Sequence, residues 1–261
     1  MSQLVTNLNG NSSVPLVVAP KKEYDFKVCV AYCVHREMKV KVFQIARLLE
    51  KCPNPKIDIK VVEGDALIDR SRSRAATKFL ETDYDILLYL DDDIFFDAVE
   101  LTRMLWEMWQ KDLDIIGAGY ITKEADEPSF TFRTRGDQNI VFGNEGGIHE
   151  VRWLATGCMA VRRRVIEKMV DSETVHLCNR DTINFYPFFM PFEKLIDGKW
   201  NYLSEDYAFC ERANELGFKC WVDSRMKLTH FGNYLYDWDD IHRPRKQKAE
   251  NLLCQFRIVE E

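Results

Sequence analysis

Three consecutive carboxylates, Asp91, Asp92 and Asp93, close the apolar run DILLYL of a 261-residue sequence. Like charges this close repel, and folding alone gives no reason to collect them. A hard divalent cation resolves the repulsion, because Mn²⁺ or Mg²⁺ takes oxygen ligands and bridges carboxylates to substrate phosphates. Asp91 and Asp93, two apart on an extended turn, can face one ligand. The competing reading is a solvated turn ahead of the next helix, with Asp97 as its N-cap. A calcium loop of the EF-hand kind is excluded, since its required glycine and final glutamate fall on Phe96 and Thr102.

Three further segments carry groups suited to the same chemistry. In IDRSRSRAA a helix places Arg70 and Arg74 on one face and turns Arg72 away. Arginines near a helix start offer bidentate hydrogen bonds to a diphosphate, with surface ion pairing as the alternative. The run Arg162, Arg163 and Arg164 reads as a solvated helix start. In YLSEDYAFCERANELGF, Ser204 fits an N-cap and Glu205 and Asp206 fall in the first turn, where the helix dipole stabilises them. A carboxylate there, near Trp200 and Tyr207, also suits a general base for a hydroxyl nucleophile. In LTHFGNY, His230 follows an apolar strand, as a packed histidine or as a metal ligand. The aromatic residues of INFYPFFMPF read first as core and second as an acceptor platform.

These residues need elements to hold them. KVCVAYC reads as a strand, followed by a helix at about 38–51 with Val42, Ile45, Ala46 and Leu49 on one face. IDIKVV and a helix at about 66–81, using Leu67, Ala75, Phe79 and Leu80, repeat the unit. DILLYL suits a central parallel strand, and a helix at about 98–110 and the strand DIIGAGY follow. This alternation predicts a doubly wound α/β sheet over the first 120 or so residues, with ligands outside the carboxyl ends of the strands. Beyond it, FTFRT, NIVF and HEVRWLAT are short strands, helices return at about 163–170 and 205–216, and KCWV is a last strand. One α/β domain over 26–236 is expected, with a mobile leader at 1–25 and a helical tail at 237–261 packing on it.

Composition narrows the classes. An apolar fraction of 46% supports a sizeable core, and 36 basic against 42 acidic residues give a net charge of −6. That balance opposes a general nucleic-acid binder. The 8 cysteines include no Cys-x-x-Cys pair, which argues against structural zinc and for a reducing compartment. Neither a signal peptide nor an apolar run of about 20 residues is present, so a soluble, cytoplasmic protein is expected. No phosphate loop of the form G-x-x-x-x-G-K-S/T occurs.

Taken in order, the segments resemble the GT-A glycosyltransferases, which use nucleotide sugars and carry an Asp-x-Asp motif. LLYLDDDIFF is similar to their strand-end aspartates, GAGYITKE to the next strand and lysine, and WLATGCMAVRRRVIEKM to a Thr-Gly segment before a helix. SEDYAFCERANELGF resembles their Glu-Asp helix and KLTHFGN their C-terminal histidine segment. The resemblance covers about 27–234 and implies a GT-A, Rossmann-like mixed sheet flanked by helices. It implies that Asp91 and Asp93 bind Mn²⁺ or Mg²⁺ and the donor's ribose-diphosphate, with His230 as a third metal ligand. Asp206 would be the acceptor's base, with Glu205 touching the acceptor or supporting that base. Arg72 falls near the donor, with Ser73 where relatives carry Asn, and Arg70 is a second candidate for the diphosphate. Tyr120, Lys123, Thr156 and Gly157 would line the donor and acceptor cleft. The implied partners are a nucleoside-diphosphate sugar, with uridine favoured, and a glycan, protein or small-molecule acceptor, joined with inversion. The alternatives are a metal-dependent nucleotidyltransferase or phosphohydrolase and a non-catalytic sugar-binding protein.

Overall fold

The structure, a computed structural model, describes residues 25–34, 38, 40–52, 55–123, 129–232 and 235–242 and the short strands Leu4–Thr6, Ser13–Pro15 and Gln255–Ile258. Its main elements in chain order are β1 (Lys27–Val34), α1 (Val40–Leu49), β2 (Lys56–Glu63), α2 (Ile68–Leu80), β3 (Ile86–Leu90) and α3 (Ala98–Gln110). They continue with β4 (Ile115–Gly117), β5 (Ile148–Val151), β6 (Cys158–Arg162), α4 (Arg163–Asp171), α5 (Glu205–Glu215) and β7 (Cys220–Asp223). The seven strands form one mixed sheet in the order β5-β7-β4-β6-β3-β1-β2.

Alternation along the strands builds two apolar layers. On β1, Val28, Val30, Tyr32 and Val34 pack with Val42, Ala46 and Leu49 of α1 and Leu101, Leu105 and Met108 of α3. Cys29, Ala31 and Cys33 point to the other face, toward Phe79 of α2, Ile166 and Met169 of α4 and Phe209 of α5. A strand buried on both faces reads as a continuous apolar run, which is what ILLYL is. Asp97 caps α3 by accepting from the amides of Val99 and Glu100.

The parallel succession holds for β1, β2 and β3. It then breaks, because β6 enters antiparallel between β3 and β4. DILLYL therefore has a parallel neighbour on one side only. The apolar CMAVR of β6 gives no cue to direction, and the sheet is mixed instead of doubly wound throughout. HEVRWLAT also divides, with β5 on the sheet edge and Trp153–Leu154 paired to Phe132–Arg133. Gly117 is fixed by the β4–β6 contact, since a Cβ there would lie 2.1 Å from the carbonyl oxygen of Cys158.

Within the expected leader, Leu4–Thr6 pairs with Ser13–Pro15, and most of its other residues lie outside the described ones. Most of the tail expected to be helical lies outside the described residues. Its described parts are a 3-10 turn, Trp238–His242, and Gln255–Ile258, which pairs in parallel with Asn139–Phe142. Residues 243–254 lie outside the described residues. The described cysteines are free thiols, and burial pushes those of Cys29 and Cys33 up to about 11. No helix among the described residues is long and apolar enough to cross a membrane.

Glu211 ties α5 to the rest of the fold. It is 3% exposed and accepts from Trp153 Nε1 at 2.6 Å, Arg152 Nη2 at 3.0 Å and Lys194 Nζ at 2.9 Å. Burial alone would raise its pKa, but these donors outweigh burial and hold it at about 2. A depressed carboxylate pKa contributes stability above the unfolded value of about 4.5 that is lost as pH falls toward about 2. Urea unfolding from pH 7 to 2 should show Glu211→Gln clearly less stable at neutral pH, with the gap closing below pH 4.5.

Candidate active site

Strands β1, β2, β3, β4 and β7 run the same way, so their carboxyl ends share one edge of the sheet. The start of β6 and the N-terminus of α2 reach that edge too, and ion pairs bring the N-terminus of α5 to it.

Arg72 is at the centre. Its α2 turns an unusually polar face inward: Ser73 Oγ accepts from Phe189 N at 3.1 Å and Thr77 Oγ1 from Tyr186 N at 3.0 Å. Tyr89 Oη donates to the Arg72 carbonyl at 2.9 Å. The guanidinium, 5% exposed, donates from Nη2 to Asp91 Oδ1 at 2.8 Å and from Nη1 to Glu205 Oε1 at 3.0 Å. Burial opposes its charge, and the two carboxylates outweigh burial and hold its pKa above the ordinary value. Burial, reinforced by neighbouring Asp206, raises Glu205 against the pull of Arg72. Arg70 is not brought here. It donates to Asp65 at 2.7–3.0 Å, and Arg74 reaches the same carboxylate at 3.4 Å.

Asp93 belongs to a second group. Phe231 N donates to its carbonyl at 2.7 Å, in the short pairing that sets Thr229–Phe231 against Ile94–Phe95 and puts His230 opposite Ile94. His230 Nε2 lies 3.6 Å from Asp93 Oδ1, and Lys123 pairs with Asp93 Oδ2. Burial raises Asp93, but His230 and Lys123 outweigh it and leave its pKa lowered. His230 Nδ1 is 2.9 Å from the carbonyl oxygen of Ile121, which can only accept. Nδ1 therefore donates to that carbonyl, and Nε2 is the ring nitrogen turned toward Asp93. An imidazole nitrogen and a carboxylate oxygen 3.6 Å apart are donors of the types that divalent cations take, and the Ile121 carbonyl is an outer support of the kind such histidines use.

Asp91 and Asp93 have different partners in this arrangement, Arg72 for the first and Lys123 and His230 for the second. Among the described residues no three His, Cys, Asp or Glu side chains gather as a ligand set. Of the three expected ligands, Asp93 and His230 approach each other, and Asp91 is paired with Arg72.

A cleft of about 510 Å³ opens here, with Tyr120, Lys123, Arg133, Asp206, Tyr207 and His230 in its wall. Asp206 Oδ1 accepts from Ser204 Oγ at 2.5 Å and Tyr207 N at 2.8 Å, and Oδ2 accepts from none of the described residues. Ser204 stands at the N-cap as expected, yet its hydroxyl serves Asp206 and not a backbone amide. Tyr120 packs edge-on against His230 with centroids 5.1 Å apart. Its hydroxyl lies on Gly157, where a Cβ would come within 2.5 Å of it. Gly157 therefore backs the cleft wall. Thr156 does not line the cleft: it is fully buried, and its Oγ1 finds no partner among the described residues.

Other candidates resolve as packing. Phe188 and Phe189 are fully buried, with Phe189 stacked on Phe209 at 4.5 Å. Arg162 and Arg164 pair with Asp112, and Arg163 donates to the carbonyls of Tyr84 and Thr82. Arg133 was not legible from sequence, where FTFRT signals a strand and nothing more.

The protein is thus a mixed α/β domain with a polar cleft at the carboxyl ends of its parallel strands. No family model and no curated protein matches the sequence. Among solved structures it is similar to the crystal structure of A197 from STIV, with a TM-score of 0.53 and 15% identity over 89% of this chain and 97% of that one. At that identity the likeness is one of fold.

Removing one partner of a buried ion group leaves the others uncompensated, typically at a cost of about 3–5 kcal/mol. Arg72→Met should destabilise the protein by about that amount at pH 7 and by less at a more acidic pH, because Glu205, already raised by burial, takes up a proton more readily once the arginine is gone. Denaturant titrations at the two pH values check both the loss and its direction.

Proposed function

We propose that the protein is a metal-dependent glycosyltransferase of the GT-A kind, moving a sugar from a nucleoside-diphosphate sugar, with uridine favoured, to an acceptor hydroxyl. One observation carries the reading: Asp206, with an unengaged oxygen, shares a cleft with His230 and Lys123, which both approach Asp93. A base for the nucleophile and a site for the leaving group's counter-charge then border the same space.

In this reading Asp93 and His230 hold Mn²⁺ or Mg²⁺, and Lys123, adjacent to both, is placed to meet a phosphate oxygen. When bound, the cation offsets the negative charge that builds on the diphosphate as it departs. Asp206 Oδ2 takes the acceptor's proton as the acceptor oxygen bonds to the anomeric carbon. The bond from that carbon to the diphosphate breaks, and the diphosphate leaves with the electron pair. Attack opposite the leaving group inverts the anomeric centre. Ser204 and the Tyr207 amide fix Oδ1, so the carboxylate cannot swing away from the cleft. Arg72 positions both acidic segments without entering the cleft wall.

A panel of nucleotide sugars, screened with and without Mn²⁺ and followed by product analysis, tests the reading. Transfer releases a nucleoside diphosphate, whereas nucleotidyl transfer releases pyrophosphate. Excess chelator should abolish turnover, and Asp93→Asn should weaken metal-dependent donor binding measured by calorimetry, because an amide cannot balance the cation's charge. Asp206→Asn should spare donor affinity while slowing turnover by about 10²–10⁴, the usual worth of a general base. Turnover within about threefold of the parent would leave Asp206 as a helix-end charge only.

A further inference from the structure

Two charges in the cleft have no ion-pair partner among the described residues, and they are opposite in sign. Lys123 is met by Asp93, but Asp206 and Arg133 are met by no opposite charge. Arg133 closes the strand Phe132–Arg133, and its Nη1 donates to the carbonyls of Phe130 at 2.7 Å and Phe132 at 2.9 Å. Those bonds fix the plane of the guanidinium. Its carbon sits 5.8 Å from the ring centroid of Tyr207, the residue after Asp206, and that ring is itself stacked on Trp153 at 5.2 Å. Nε and Nη2 donate to none of the described residues, and Arg133 forms part of the cleft wall.

A rigid guanidinium with an open edge is costly to cover. A neutral ligand filling the cleft strips its water and returns no charge, whereas a carboxylate or phosphate accepts two parallel hydrogen bonds from that edge. The Asp93–His230 end of the cleft is where the donor's diphosphate belongs in the reading above, so the charge at the Asp206–Tyr207 end is left for the other substrate. We infer that Arg133 is a specificity-determining residue that binds a carboxylate or phosphate on the acceptor, holding a hydroxyl of the same molecule against Asp206. This deepens the proposed function and rests on Asp206 being the acceptor's base.

The test reads binding rather than transfer, so its outcome stands apart from whether a sugar donor is ever found. Three probes are titrated calorimetrically into the full-length protein without donor: methyl β-glucuronide, methyl β-glucoside 6-phosphate and neutral methyl β-glucoside. At least one anionic probe should bind tenfold or more tightly than the neutral one, with the carboxylate and phosphate arms separating the two chemistries. Arg133→Gln should erase that preference, Arg133→Lys should keep part of it as a point charge, and Asp206→Asn should preserve it. Equal or undetectable binding of all three probes overturns the proposal, as does a preference that survives Arg133→Gln in folded protein. A tenfold loss of UDP affinity in Arg133→Gln would assign the guanidinium to the donor and overturn it too. Residues 124–128, outside the described ones, include Glu124, Asp126 and Glu127. The combined Glu124→Gln, Asp126→Asn and Glu127→Gln variant should bind the anionic probes within threefold of the parent. A gain of tenfold or more would mean that these carboxylates occupy Arg133, and the proposal would fall.

Discussion

A guanidinium buried between two carboxylates organises this end of the molecule. Taking a charge out of water costs several kcal/mol unless partners surround it, so Arg72 on α2 must draw Asp91 from the end of β3 and Glu205 from the start of α5. In doing so it sorts neighbouring acids by role. Asp91 and Glu205 pair with the arginine, while Asp93 pairs with Lys123 and Asp206 lines the cleft. Two acidic pairs that look equivalent along the chain are thereby split into a member held by the arginine and a member that is not.

The sequence revealed the segments better than the way they face. Apolar periodicity located α1 to α5 within a few residues, and the strand-end aspartates and the Glu-Asp helix start meet at the carboxyl edge of the sheet. The orientation of α2 was not legible. The four-residue spacing put Arg70 and Arg74 on one face and turned Arg72 away from it, without showing which face goes inward: Leu67 is 52% exposed while Ser71, Arg72, Ser73 and Thr77 are buried. Polar side chains go inward when backbone amides there need acceptors, as those of Phe189 and Tyr186 do, and that need belongs to a loop more than a hundred residues away. The insertion of β6 is hidden for a similar reason: an apolar run shows that a strand is buried but not which neighbours it takes or in which direction.

The cleft follows from the same geometry. Parallel strands bring the segments after β3 and β4 to one edge, antiparallel β6 starts there with the glycine that lets Tyr120 pack, and the short pairing of His230 with Ile94 places the imidazole beside Asp93. The ring is held by the Nδ1 contact to the Ile121 carbonyl, which leaves Nε2 facing Asp93. Lys123 and Asp93 form the one pair here that a bound cation and an anionic ligand would have to separate, with the lysine passing to the ligand's phosphate. Charge balance thus favours cation and diphosphate arriving together.

If the proposed function holds, pulsed electron paramagnetic resonance on Mn²⁺ should detect that joint binding. With UDP present, the account predicts an imidazole ¹⁴N coupling from His230, absent in His230→Gln, together with ³¹P coupling from the diphosphate. Mn²⁺ that shows no nitrogen coupling in the UDP complex, or the same coupling in His230→Gln, would contradict it.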